Sequence, residues 1–137
     1  MKISQKLEYA CRALVQLAKT YDGKSLTRLD ELAQREAVSS NFLVQILNDL
    51  RRAGLIDSRR GANGGYVLSR PAQNITLRQI VDAVEPSQLQ NTAVDQGDSG
   101  SAVRRAWESV STKLAADLDT VTLESLASPP SDPMFYI

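Results

Sequence analysis

Apolar residues recur at three- and four-residue intervals from Ile3 through Leu7, Ala10, Cys11, Leu14, Leu17 and Ala18 to Tyr21. This is the buried stripe of a first helix, and Asp22-Gly23 ends it. A second helix is expected through Leu29, Leu32 and Ala33 to about Glu36-Ala37, with Thr27 as its cap. After a break of only three or four residues, Ser39 can cap a third helix running to about Ala53. Helices joined so tightly must cross steeply, which is the helix-turn-helix arrangement. On the third helix Phe42, Leu43, Ile46, Leu47 and Leu50 share one face, leaving Ser40, Asn41, Val44, Gln45, Asn48, Arg51 and Arg52 on the other.

The period then changes from helical to alternating. Leu55-Ile56 and Tyr66-Val67-Leu68 are the arms of a hairpin whose turn is Gly61-Ala62-Asn63-Gly64-Gly65 and whose first arm ends in Arg59-Arg60. Alone it would be an ordinary charged hairpin; directly behind a helix-turn-helix it reads as a wing. After Pro71, Ile75 to Val84 has the pattern of a short fourth helix closed by Pro86, and residues 86–101 carry no core-forming pattern and are expected to be a flexible loop. Val103, Trp107, Val110, Leu114, Leu118 and Val121 then form the seam of a long helix, with a last helical turn at Thr122 to Leu126. Ser128-Pro129-Pro130-Ser131-Asp132-Pro133 cannot be helical, so Met134-Phe135-Tyr136-Ile137 sits on an extended tether.

The expected class is therefore mainly α with one small β-hairpin. Residues 1–85 make a winged helix-turn-helix domain, 86–101 a loop, 102–127 a dimerisation helix with its final turn, and 128–137 a tail. A seam on so small a chain suits pairing with a second copy through Val103, Trp107, Val110, Leu114 and Leu118.

Composition narrows the chemistry. The 137 residues contain no histidine and one cysteine, which removes the usual zinc sites, histidine-based catalysis and any disulfide within the chain. Cys11 lies on the first apolar stripe and reads as a small core residue. No paired carboxylates, activated nucleophile or phosphate-cradling loop occurs at useful spacing, so no enzyme, catalytic residue, metal or cofactor is expected. No run of about 18 apolar residues occurs and the start lacks a signal-peptide core, so a cytoplasmic protein is expected. The formal charge of zero divides into opposite halves: residues 1–70 hold 12 basic against 7 acidic residues, and 71–137 hold 4 against 9. A basic half carrying a wing points to double-stranded DNA. Ser40, Asn41, Val44 and Gln45 suit base edges; Lys2, Lys6, Arg28 and Arg52 suit phosphates; Arg60, helped by Arg59, suits the minor groove.

Phe42-Leu43-x-Gln45-Ile46-Leu47, Ala53-Gly54-Leu55-Ile56, Arg60-Gly61, Gly64-Gly65-Tyr66, Ile75-Thr76-Leu77 and Trp107 resemble the Rrf-type winged helix-turn-helix regulators over nearly the whole chain. The resemblance implies a dimeric repressor with a recognition helix in the major groove and a wing arginine in the minor groove. Cluster-binding members use three cysteines after the fourth helix; residues 86–106 here contain none, which leaves the cluster-free branch. Within it the chain resembles repressors of cysteine metabolism, which implies cysteine synthase as a partner, with Ile137 in its substrate position and Tyr136 and Phe135 at the entrance. Where many relatives have a glutamate this chain has Val44, implying an altered base preference. Two alternatives stay open on the residues: a different signal, either a small molecule or Cys11 oxidation, and a protein-interaction module that does not bind DNA.

Overall fold

The computed structural model describes residues 2–128; the expected partner-binding residues Phe135, Tyr136 and Ile137 lie outside the described residues. Helix α1 spans Gln5–Lys19, and its first turn is closed by Ser4, whose hydroxyl accepts from the Leu7 N–H at 3.1 Å. Its stripe buries Leu7, Ala10, Ala13, Leu14 and Leu17. The chain reverses at Asp22, whose carboxylate accepts the N–H groups of Lys24 and Ser25 at 2.8 and 2.6 Å. These bonds, with the Ser25 hydroxyl, hold its pKa down at about 2.

Helix α2 (Leu29–Glu36) is not capped by Thr27. Its N-cap is Arg28, which makes no side-chain cap bond, and Asp30 and Glu31 face the positive end of the helix instead. Thr27 is committed elsewhere: its N–H and carbonyl both pair with Tyr66, each at 2.8 Å. Ala37, left-handed at φ 55°, ends α2, and Ser39 caps helix α3 (Ser40–Arg52) by accepting from the Phe42 N–H at 3.3 Å. Arg12 braces this turn from α1, donating to the Glu36 carbonyl and to its carboxylate at 3.2 Å. The same guanidinium stacks over Tyr9, whose ring meets Phe42 edge-on.

Strands β1 (Ile56–Arg59) and β2 (Gly65–Leu68) pair antiparallel, Ile56 opposite Leu68 and Arg59 opposite Gly65. Thr27 lies along the outer edge of β2, so the hairpin is sewn to the segment leading into α2. Helix α4 (Leu77–Val84) starts two residues later than the pattern suggests, because Thr76 and Gln79 form a reciprocal capping box.

Residues 86–101 contain a 3-10 turn at Pro86–Leu89 and then bond to the helix that follows. The Asn91 amide donates to the Arg104 carbonyl at 3.0 Å, and the Arg104 guanidinium donates to the Ala93 carbonyl at 3.2 Å. Asn, Asp and Ser, which carry no apolar pattern, here bond locally. Helix α5 begins at Gly100 rather than 102 and runs to Thr120, a rod about 30 Å long. Its expected seam divides: Leu114 and Leu118 are half-buried where α5 approaches α4, whereas Val103, Trp107 and Val110 are 49%, 58% and 51% exposed. Arg78 on α4 reaches Asp119 on α5 at 3.0 Å, which raises the guanidinium pKa further.

The chain then returns to the core. The Leu77 N–H donates to the Val121 carbonyl at 2.9 Å and the Leu123 N–H to the Ile75 carbonyl at 2.8 Å. Helix α6 (Leu123–Ala127) thereby docks on α1 with Leu123 fully buried among the residues that surround Leu14, Leu47 and Ile80. Leu123→Ala is expected to cost about 2 to 5 kcal/mol in stability, measured by urea unfolding, since it opens a cavity where α6 closes the core.

Candidate nucleic-acid interface

Burial of Leu43, Ile46, Leu47 and Leu50, all at 0% exposure, turns the other face of α3 to solvent. Ser40, Asn41 and Gln45 are exposed there and Val44 is half-buried beside them. The four expected base-reading residues thus lie together on the first two turns of α3. At the other end of α3, Arg51 and Arg52 occupy the last turn, where cations complement the helix dipole.

The wing stands across from this face. Between them lies an open cleft of about 660 Å³, lined by Arg28, Ser40, Asn48 and Arg51 on one side and by Ser58, Arg59, Arg60 and Tyr66 on the other. Arg51, Arg59 and Arg60 are exposed and, among the described residues, no carboxylate lies within ion-pair distance of any of them. Polyanion binding gains most from such cations, because no existing ion pair has to be broken. Arg51 and Asn48 were outward-facing positions in the pattern without an assigned role; only the placement of the wing shows that they share a cleft with Arg59 and Arg60.

The remaining expected phosphate contacts are placed differently. Arg28 donates to the Ala62 carbonyl at the wing tip at 2.6 Å and lies 3.4 Å from Asp30, so it ties the start of α2 to the turn. Lys6 lies 2.6 Å from one carboxylate oxygen of Asp49 and Arg52 lies 2.8 Å from the other. Lys2 is exposed near Gln88, which donates to its carbonyl.

The wing turn depends on two glycines. A Cβ on Gly64 would sit 2.2 Å from the Arg59 carbonyl oxygen, and Gly65, at φ +151°, would place one 2.6 Å from the Thr27 carbonyl oxygen. The first approach closes the turn behind Arg59 and Arg60; the second lets Tyr66 pair with Thr27.

Cys11 is half-buried on α1, and loss of solvation pushes its thiol up to about 11. A raised thiol pKa leaves little of the reactive thiolate near neutral pH.

The Rrf2 family model, described as iron-dependent transcriptional regulator, matches residues 3–129. The transcriptional regulator IscR of Cereibacter sphaeroides is 37% identical over 134 residues, covering 92% of this chain and 86% of that protein. CymR of Bacillus subtilis is 37% identical over 128 residues, covering 93% and 91%. The solved structure of B. subtilis CymR, the global cysteine regulator, superposes with a TM-score of 0.78 at 35% identity, covering 93% of this chain and 96% of that one.

The donors present do not fit iron or an iron-sulphur cluster. Cys11 is the chain's single thiol, histidine is absent, and among the described residues no three His, Cys, Asp or Glu side chains converge. Among the described residues, no helix is long and apolar enough to cross a membrane.

Gly64→Ala is expected to displace Arg59 and Arg60 and to weaken DNA binding at least tenfold while far-ultraviolet circular dichroism stays unchanged. The helices do not contain the wing turn, so fluorescence-anisotropy titration of a DNA duplex is the discriminating measurement.

Proposed function

The chain belongs to the Rrf2 family of transcriptional regulators, and on that footing we propose that it is a homodimeric, sequence-specific repressor of cysteine or sulphur metabolism genes, controlled through cysteine synthase. The observation that carries the DNA reading is the cleft between α3 and the wing, with Arg51, Arg59 and Arg60 facing it without carboxylate partners among the described residues. In this reading the first turns of α3 enter the major groove. Asn41 and Gln45 pair with adenine edges, Ser40 adapts to either strand, and Val44 meets a thymine methyl where a carboxylate would instead accept from cytosine. Arg60 enters the minor groove with Arg59 beside it, and Arg51 and Lys2 take phosphates.

Dimerisation is supported by the exposed upper seam of α5. Val103, Trp107 and Val110 lie on consecutive turns of one face, an apolar strip that a second copy of the helix would cover. Two such subunits would present two α3 helices to a near-palindromic site. Assignment to cysteine metabolism draws on the likeness to CymR, together with donors that do not fit a cluster. The partner reading draws on the resemblance to repressors of cysteine metabolism and on the tail, whose proline-rich sequence precedes Phe135-Tyr136-Ile137, three apolar or aromatic side chains suited to capture in a pocket.

Two experiments test these readings. Selection of duplexes from a random pool should yield a palindromic site. Binding to it should fall steeply between about 50 and 200 mM salt and be lost on charge reversal of Arg59 and Arg60; no retention of any duplex at low salt would refute the DNA reading. Removal of residues 134–137 should abolish co-elution with purified cysteine synthase while leaving binding to the selected duplex intact in its absence. An unchanged complex would refute the partner.

A further inference from the structure

The cations around α3 fall into two groups. Arg51, Arg59 and Arg60 face the cleft without carboxylate partners among the described residues. Lys6 and Arg52 both converge on Asp49, at 2.6 and 2.8 Å, each on its own carboxylate oxygen. Asp49 stands on α3 one turn before Arg52, and Lys6 reaches it from the first turn of α1. The Asp49 side chain is 21% exposed, against 36% for Lys6 and 74% for Arg52, so the carboxylate is the sheltered member of a cluster whose cations reach solvent. A carboxylate three residues from the end of α3 is also unfavourable toward the helix dipole, so capping does not account for it.

We propose that Asp49 is an internal competitor for the DNA backbone: it occupies Lys6 and Arg52 as a phosphate would, and so limits sequence-independent affinity. The proposal rests on the DNA-binding reading. Asp49 holds donors of both cations that a phosphate would otherwise take, and its negative charge stays beside the donors that remain free. Both effects weaken the contacts that every duplex offers equally. Contacts from the cleft arginines and from the base-reading turns of α3 are unaffected, so a larger share of the remaining affinity depends on sequence and groove shape. A residue that touches no base thereby lowers the affinity for every duplex alike.

The test uses the full chain and a random-sequence duplex of about 30 base pairs, titrated between about 50 and 200 mM salt. Asp49→Asn keeps the shape of the side chain and removes its charge. It should tighten binding at the lowest salt by roughly three- to tenfold, and steepen the slope of log K against log salt by about 1 to 2 per protomer. Adding Lys6→Met and Arg52→Met to Asp49→Asn should return the slope to its native value, whereas the same two changes beside the native Asp49 should lower it by less than about 1.

If Asp49→Asn binds the duplex no more tightly, with a melting curve that shows it folded, the proposal is overturned and Asp49 is only a staple between α1 and α3. Should that variant fail to fold, the Lys6→Met, Arg52→Met chain decides: a slope loss near 2 overturns the proposal and a loss below about 1 supports it. A native chain that binds no duplex at any salt overturns the DNA reading together with this one. Loss of binding on Arg59 and Arg60 reversal, combined with an unaltered Asp49→Asn chain, overturns this one alone.

Discussion

Burial of the inner face of α3 is the constraint from which the functional surface follows. A helix has one apolar stripe, and here Leu43, Ile46, Leu47 and Leu50 are removed from water completely. Full burial of a leucine or isoleucine side chain is worth roughly 1.5 to 3 kcal/mol, so rotating the helix to bury Ser40, Asn41 or Gln45 instead would lose several such terms and strand polar groups in the core. The outward face is therefore held in place by what it does not contain. Arg12 adds a second restraint, since it joins α1 to the end of α2 at the point where the left-handed Ala37 opens the turn into α3. The crossing of α2 and α3 is thus set from three sides: the core, the αL turn and the guanidinium brace.

The wing inherits its position from this frame through backbone rather than side-chain contacts. Thr27 immediately precedes the cap of α2, and its two bonds to Tyr66 make the edge of the hairpin continuous with the helix-turn-helix. Arg28 adds a strut to the tip at Ala62. Gly64 and Gly65 permit the close approaches this requires, since each lies too near a carbonyl oxygen for any side chain. Arg59 and Arg60 consequently stand at a defined separation from α3, with a cleft rather than a continuous surface between them. Charge is graded across this face, from cleft arginines without carboxylate partners among the described residues to Lys6 and Arg52 held by Asp49.

At the far end of the chain, α5 leaves the core and α6 returns to it. The bonds joining Val121 to Leu77 and Ile75 to Leu123 fasten the base of the rod, and Arg78 with Asp119 fastens it to α4. The opposite end carries Val103, Trp107 and Val110 into solvent. The base of the rod thus shares one core with α1, through α6, and with the helix-turn-helix, through α4.

Much of this was legible in the chain itself. Apolar spacing specified the helices, their order and the inner face of α3, because a buried stripe must recur with the helical period whatever it packs against. The glycine-rich turn with its paired arginines marked the hairpin, and the absence of histidine and of further cysteines decided that iron chemistry does not fit. Tertiary structure decided what spacing cannot encode, namely which distant groups meet. Thr27 looked like a cap and is a strand partner; Arg51 looked like one of several outward cations and lines the cleft. Lys6 and Arg52 looked like free phosphate contacts, yet both end on one carboxylate supplied by a residue that the helical pattern left unremarked. The division follows from the range of the forces involved: periodic burial is written locally in the sequence, while ion pairs and backbone bridges depend on where the fold brings chain segments that lie tens of residues apart.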